Sequence, residues 1–110
     1  MEEILLNAKE FLESAEDNLK KERWNAAVSD YFKSMSSYCD YLLYKEIKIL
    51  PKNHNERFEL LKKYFNEIYT EVIGFFKKYR DSYNLRLTKE DALLIKEYAY
   101  ELKDIVTNRN

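Results

Sequence analysis

Apolar residues recur at three- and four-residue steps along almost the whole chain. Ile4, Leu5, Ala8, Phe11, Leu12, Ala15 and Leu19 draw one stripe, which predicts a first helix from about Glu2 to Lys20 with an acidic opposite face. A polar break at Lys20 to Arg23 leads into a second helix. There Trp24, Ala27, Val28, Tyr31, Phe32, Met35, Tyr38, Cys39, Leu42 and Leu43 hold the period out to about Ile49, and Pro51 stops it because proline lacks an amide donor and disfavours helix in the residue before it. Asn53 followed by Glu56 has the spacing of a capping box and opens a third helix. Phe58, Leu61, Tyr64, Phe65, Ile68, Tyr69, Val72, Ile73 and Phe76 carry this helix to about Tyr79, with Gly74 as its weak point and a kink or break predicted between Asn66 and Gly74. After a connection from Asp81 to Leu87, Thr88 with Asp91 makes a second cap, and Ala92, Ile95, Ala99, Leu102 and Val106 define a fourth helix.

Four stripes joined by short connections predict an all-α fold, an antiparallel up-down four-helix bundle in which each stripe is buried by its neighbours. A pair of helical hairpins like tetratricopeptide repeats is suggested by Trp24, Ala27 and Tyr31, but no repeated pattern of roughly 34 residues supports it. Composition agrees with helices. A single glycine and a single proline in 110 residues leave strand-rich folds without their turn residues, and the length suits one domain spanning residues 1–110. Hydrophobic content of 45% against 35% charged residues of mixed sign describes a soluble protein with a solvated helical surface. Charges interrupt every apolar run before the roughly 18 residues of a membrane span, and Met1-Glu2-Glu3 is no basic leader, so a cytoplasmic protein without membrane contact is expected. Cys39 lies alone on an apolar face, which predicts a plain core thiol.

The segment Tyr79-Arg80-Asp81-Ser82-Tyr83-Asn84 gathers an arginine, a carboxylate, an amide and two phenols between two helical patterns. Loops on a rigid scaffold are where ligand-contacting groups concentrate. Lys77, Lys78, Arg86 and Lys89 flank it, making the neighbourhood positive in a chain of net charge -1 and pointing to an anionic partner. Arg80 would grip phosphate or a carboxylate, while Tyr83 stacks on a base and Asn84 bonds its edge. The plainer reading has Arg80 and Asp81 tying the loop together and Asn84 serving as a turn residue. Tyr31, Tyr38, Tyr64 and Tyr69 fall on apolar faces and read as core or dimer interface.

The order of these features resembles the HEPN domain of prokaryotes. The resemblance rests on Ala8, Phe11, Leu12 and Ala15, on Trp24-Asn25-Ala26-Ala27-Val28 opening a helix with Asp30-Tyr31-Phe32, on His54 at the start of the third helix, and on Arg80 with Tyr83 ahead of the fourth. It implies a four-helix homodimer with functional polar residues near the junction of the third and fourth helices. It also implies either partnership with a small nucleotidyltransferase or a metal-independent ribonuclease built on an arginine with four to six residues between it and a histidine. Here the three positions that could hold that histidine carry Leu85, Arg86 and Leu87, and the only histidine is His54, upstream.

That gap matters chemically. Metal-free RNA cleavage needs a group of near-neutral pKa to move the 2′-hydroxyl proton, and arginine supplies only charge stabilisation. A lone histidine at a helix N-terminus reads more simply as a solvated first-turn residue. A glycine loop for phosphates and the familiar zinc sets are both absent, so no cofactor or metal is expected. The sequence therefore predicts an HEPN-like homodimer that binds RNA, a nucleotide or a nucleotidyltransferase without the ribonuclease pair. Its site would comprise Lys77, Lys78, Arg80, Asp81, Tyr83, Asn84 and Arg86, with His54. The alternatives are a divergent, toxin-like ribonuclease using Arg80 with His54 or Tyr83, and a helical interaction module without a small ligand. Leu43, Tyr44, Tyr69, Phe75 and Tyr100 are the expected surplus apolar surface for dimerisation.

Overall fold

A computed structural model describes residues 2–109 and contains five helices, with no strand among the described residues. They are α1 (Glu2–Lys20), α2 (Trp24–Ile47), α3 (His54–Tyr64), α4 (Asn66–Asp81) and α5 (Lys89–Thr107). The all-α class stands; the four-helix count does not, because the stretch expected to be one third helix, kinked or broken between Asn66 and Gly74, is two helices parted at Phe65.

The helix ends follow from local chemistry. Glu22 takes the left-handed conformation (φ 57°), which lets the amides of Glu22 and Arg23 close on the carbonyls of Leu19 and Asn18 at 3.1 and 2.9 Å. Lys48 does the same at the end of α2 (φ 61°, amide to Tyr44 at 3.0 Å), ending the helix two residues before the expected Ile49. At Asn53 only half of the capping box forms, the side chain accepting from the Glu56 amide at 2.9 Å. The reciprocal box is complete at α5, where Thr88 Oγ1 accepts from the Asp91 amide and Asp91 Oδ2 from the Thr88 amide.

The break between α3 and α4 is a single residue. Phe65 sits at φ -141° and ψ 62°, its amide closing α3 on Leu61 and its carbonyl accepting the Tyr69 amide of α4. Gly74, the expected weak point, lies inside α4. Pairs across the break reveal the direction of the chain: Phe58 meets Phe76 at 4.9 Å between ring centroids and His54 meets Tyr79 at 5.9 Å. The two helices therefore fold back on each other as a hairpin.

The remaining directions follow in the same way. Ser14 and Asn18 of α1 donate to Asp30 of α2, and Ser34 donates to the Ala8 carbonyl, so α1 and α2 are antiparallel. Asn25 of α2 bonds the chain just before α5 and Lys45 bonds just after it, so α2 and α5 are parallel. Lys78 of α4 pairs with Asp91 of α5 while Phe75 stacks on Tyr98, which makes those two antiparallel. α2 is the central element, a 24-residue rod of about 36 Å at 1.5 Å per residue that runs the 37 Å length of the molecule. Its Val28, Tyr31, Phe32, Met35, Tyr38, Cys39, Leu42 and Leu43 are all fully buried.

Cys39 is the core thiol expected, and burial pushes its pKa up to about 12, away from reactivity. Leu43, expected on a surplus patch, is core instead, and Tyr64, expected on an apolar face, is 46% exposed at the α3–α4 turn. Among the described residues no helix is long and apolar enough to cross a membrane.

Candidate functional site

α4 continues through Arg80 and Asp81, so the segment expected to be a loop starts as the last helical turn. Ser82 keeps helical angles, and the amides of Tyr83, Asn84 and Leu85 bond back to Arg80 and Asp81 at 2.8 to 3.2 Å. One side chain then fixes the rest. Asn25, at the second position of α2, donates to the carbonyls of Ser82 (2.9 Å) and Leu85 (2.6 Å) and accepts from the Leu87 amide (3.0 Å). Its amide is both donor and acceptor, which is why this residue type can hold both polarities of the connection.

The positive residues of this segment separate into paired and unpaired groups. Lys77 bonds Asp81 one turn on at 3.0 Å, and Lys78 bonds Asp91 at 2.7 Å. The Asp91 carboxyl is held below its ordinary range, first by the Lys78 hydrogen bond and then by the Thr88 amide. Arg80 and Arg86 are exposed, and among the described residues neither has a carboxylate within 4.0 Å. The Arg80 guanidinium lies over the Phe76 ring at 5.7 Å. Tyr83, 66% exposed, shares a 3.0 Å hydrogen bond between hydroxyls with Tyr79 and meets that ring edge-on. Burial, then the Tyr83 bond, pushes the Tyr79 hydroxyl up to about 12. Asn84 is exposed beside Tyr83.

His54 reaches the same end of the molecule from the other arm of the hairpin. It is half-buried rather than a solvated first-turn residue, with the rings of Phe32, Phe58, Phe76 and Tyr79 around it at 5.2 to 6.0 Å between centroids. Arg57, one turn along α3, donates from Nη1 to His54 Nδ1 at 2.8 Å. Arginine has no acceptor, so Nδ1 must hold a lone pair and the proton sits on Nε2. Protonating Nδ1 would set a cation against Arg57 in a partly dry site, and burial followed by that repulsion lowers the His54 pKa below 6.5. Among the described residues Nε2 has no partner, nor is it one of the buried unpaired side-chain atoms, Ser36 Oγ and Tyr38 Oη.

Arg57 is itself held by Asp40 of α2, Nε to Oδ1 at 2.7 Å and Nη2 to Oδ2 at 2.9 Å. The pattern along the chain contained a signal for this pair. Arg57 lies four residues before the buried Leu61 and beside Phe58, so a charge occupies the core face of α3 and requires a buried partner. Asn25 carried no comparable signal.

Hollows near Phe65, Leu12 and Phe75 are lined by residues of other regions. The end of α4 is a face of exposed side chains bearing a cation and a phenol, with a neutral imidazole donor nearby. Among the described residues no group of acidic, histidine or cysteine side chains is arranged to hold a metal ion. No family model, curated protein or solved structure matches the chain.

Proposed function

We propose that this is an HEPN-like, non-catalytic module that binds single-stranded RNA across the C-terminal end of α4. One observation carries the reading: Arg80, without a carboxylate partner among the described residues, is braced over Phe76 one turn from the exposed Tyr83, whose hydroxyl is tied to Tyr79. A guanidinium for phosphate beside an aromatic face for a base is the minimal grip on a single strand, with Asn84 beside it to bond a base edge. RNA is favoured over a free nucleotide because the face is open, whereas small ligands are held in concave sites that bury most of their surface.

The ribonuclease reading draws on the convergence of His54 and Arg80 at one end of the molecule. It is disfavoured by the same hydrogen bond that orients the imidazole. With Nδ1 occupied by Arg57, His54 has no lone pair to accept a 2′-hydroxyl proton, and serves as a neutral donor. A two-fold homodimer belongs to this proposal, with exposed Ile49 and Leu50 beyond the end of α2 as apolar surface for it. Titration of a labelled single-stranded RNA into the wild-type protein and an Arg80→Ala variant, with EDTA present and products resolved on a gel, tests both readings. Binding without cleavage supports the module; EDTA-resistant cleavage that depends on Arg80 overturns it.

A further inference from the structure

α4 and α5 run antiparallel but touch each other sparingly, and two adjoining hollows with shared lining residues form a groove along their seam. Its larger part is a hollow of about 600 Å³ near Phe65, and a smaller one of about 190 Å³ continues toward Leu94; both are walled by Glu71, Tyr98 and Glu101. On the α4 side the groove extends from Phe65, just before the helix, to Phe75, which is about 15 Å at 1.5 Å per residue, and on α5 from Leu94 to Ile105. That is the length of about three turns of a guest helix. The floor is apolar, built from Ile68, Phe75, Tyr98 and Ile105, with the 58% exposed Leu94 at one end.

The rim is acidic. Glu67 and Glu71 stand on one side and Glu97 and Glu101 on the other, all exposed, and among the described residues none has a cation within 4.0 Å. The one basic residue of the lining, Arg109, is already paired with Glu46 at 3.0 Å while its guanidinium covers Phe65. Burial first, then Cys39 and the neighbouring Glu71 and Glu101, raise the Tyr98 hydroxyl pKa.

We infer that the α4–α5 groove is a docking surface for a basic amphipathic helix of a partner protein. An apolar stripe at i, i+3, i+4 and i+7 would fill the floor, and lysine or arginine on both flanks would meet the two glutamate rows. A second copy of this chain applied face to face would set four glutamates against four glutamates, so the charge selects a foreign, basic occupant. The site is separate from the end of α4 and does not rest on RNA binding there.

The test uses a labelled peptide of about 14 residues, long enough for the groove at 1.5 Å per residue, with a leucine stripe and lysines elsewhere. Its twin carries glutamates in place of the lysines. The lysine peptide is expected to bind the wild-type protein and the glutamate twin is not. Glu71→Lys with Glu101→Lys, and separately Leu94→Asp, should each weaken binding by about tenfold or more, the scale of losing a charge-assisted contact. Arg80→Ala should leave it unchanged. All of these positions are exposed or half-buried, and circular dichroism and thermal melting verify that each variant is folded. Equal binding of the two peptides, binding indifferent to the groove variants, or binding of neither overturns the inference. So does a wild-type dimer in sedimentation that Leu94→Asp converts to monomer, which would make the groove a self-interface. Spermidine binding without peptide binding would equally overturn it in favour of a small-cation site.

Discussion

Arg57 and Asp40 meet in a two-pronged ion pair, at 2.7 and 2.9 Å, with side chains only 11% and 17% exposed. Removing one partner from such a pair strands the other charge out of water, whereas replacing both with apolar groups of similar volume removes the desolvation cost along with the attraction. Asp40→Ala is therefore expected to lower stability by about 3 kcal/mol, and Asp40→Leu with Arg57→Met to recover most of that loss. Urea melts of the two variants and the wild type check this. A double variant no better than the single one would show that the pair contributes more than the cost of desolvating it.

His54 depends on that pair for its protonation state. Its pKa in the folded protein is lowered below the ordinary 6.5, by burial first and by Arg57 second. Below 6.5 the unfolded chain binds more protons at this position than the folded one, so stability falls as pH drops from about 6.5 toward the folded pKa and levels off below it. A His54→Gln variant should lose less stability than wild type between pH 7 and pH 5, since the carboxylates common to both cancel in the comparison. Nitrogen NMR of the single imidazole should find the Nε2–H tautomer near neutral pH and a midpoint below 6.5. A midpoint above 6.5 would mean that Nδ1 is not committed to Arg57.

The helix starts were legible because each has a local cause: the stripes of α1 and α2, the Asn53 cap, and the reciprocal Thr88–Asp91 box all act within a few residues. A kink or break was expected between Asn66 and Gly74, but the fold-back just before it, at Phe65, was not legible. It breaks the helix without proline or glycine, at a residue that keeps the apolar period on both sides, while Gly74, the visible candidate, tolerates helix. A straight helix would set His54 and Tyr79 about 38 Å apart at 1.5 Å per residue; the hairpin brings their rings to 5.9 Å. Arg80, Tyr83 and Asn84 could be read as one segment because they are neighbours in the chain. His54 meets Phe76 and Tyr79 only through the hairpin, and Arg57 and Asp40 orient it from α3 and α2, which is tertiary information. The pairing of Lys77 and Lys78 with carboxylates is also more than a count of local charge discloses.

Asn25 offers a direct probe of how the α4–α5 connection is held. Asn25→Ala removes three hydrogen bonds and leaves two carbonyls and an amide to find water, which should cost about 1–3 kcal/mol. Asn25→Asp should be no better, because a carboxylate has no donor for the Ser82 and Leu85 carbonyls. Amide exchange at Leu87 should accelerate in both variants. Unchanged exchange would mean that the connection is held by the packing of the buried Leu87 side chain instead.

Gly74 provides the opposite kind of test. It lies in the interior of α4 on an exposed face, and a methyl group added there would meet nothing within 4 Å. Gly74→Ala should stabilise the protein by about 0.4–1 kcal/mol, chiefly by restricting the unfolded chain and improving helix propensity. A destabilised Gly74→Ala would indicate that α4 needs to bend at this position.

Arg80 and Tyr83 separate the proposed RNA face from a merely structural loop. Neither side chain ties the loop: among the described residues Arg80 has no ion pair and the Tyr83 side chain bonds only the Tyr79 hydroxyl, while Asn25 carries the connection. Arg80→Ala should leave the melting temperature nearly unchanged and weaken single-stranded RNA binding by about tenfold, the scale of a hydrogen bond to a charged group. Because each phosphate neutralised on a single strand releases condensed counterion, the slope of log affinity against log salt should also shrink by about 0.7. Tyr83→Ala should cost about 1–3 kcal/mol of binding by loss of base stacking, with the salt slope preserved. This difference in slopes is the decisive readout, since a variant that only loosened the fold would lower affinity about equally at every salt concentration and lower the melting temperature. Anisotropy titrations of both variants across a salt series, set beside their thermal melts, therefore measure the assigned roles separately, and affinities that survive both substitutions would remove the RNA face from the end of α4.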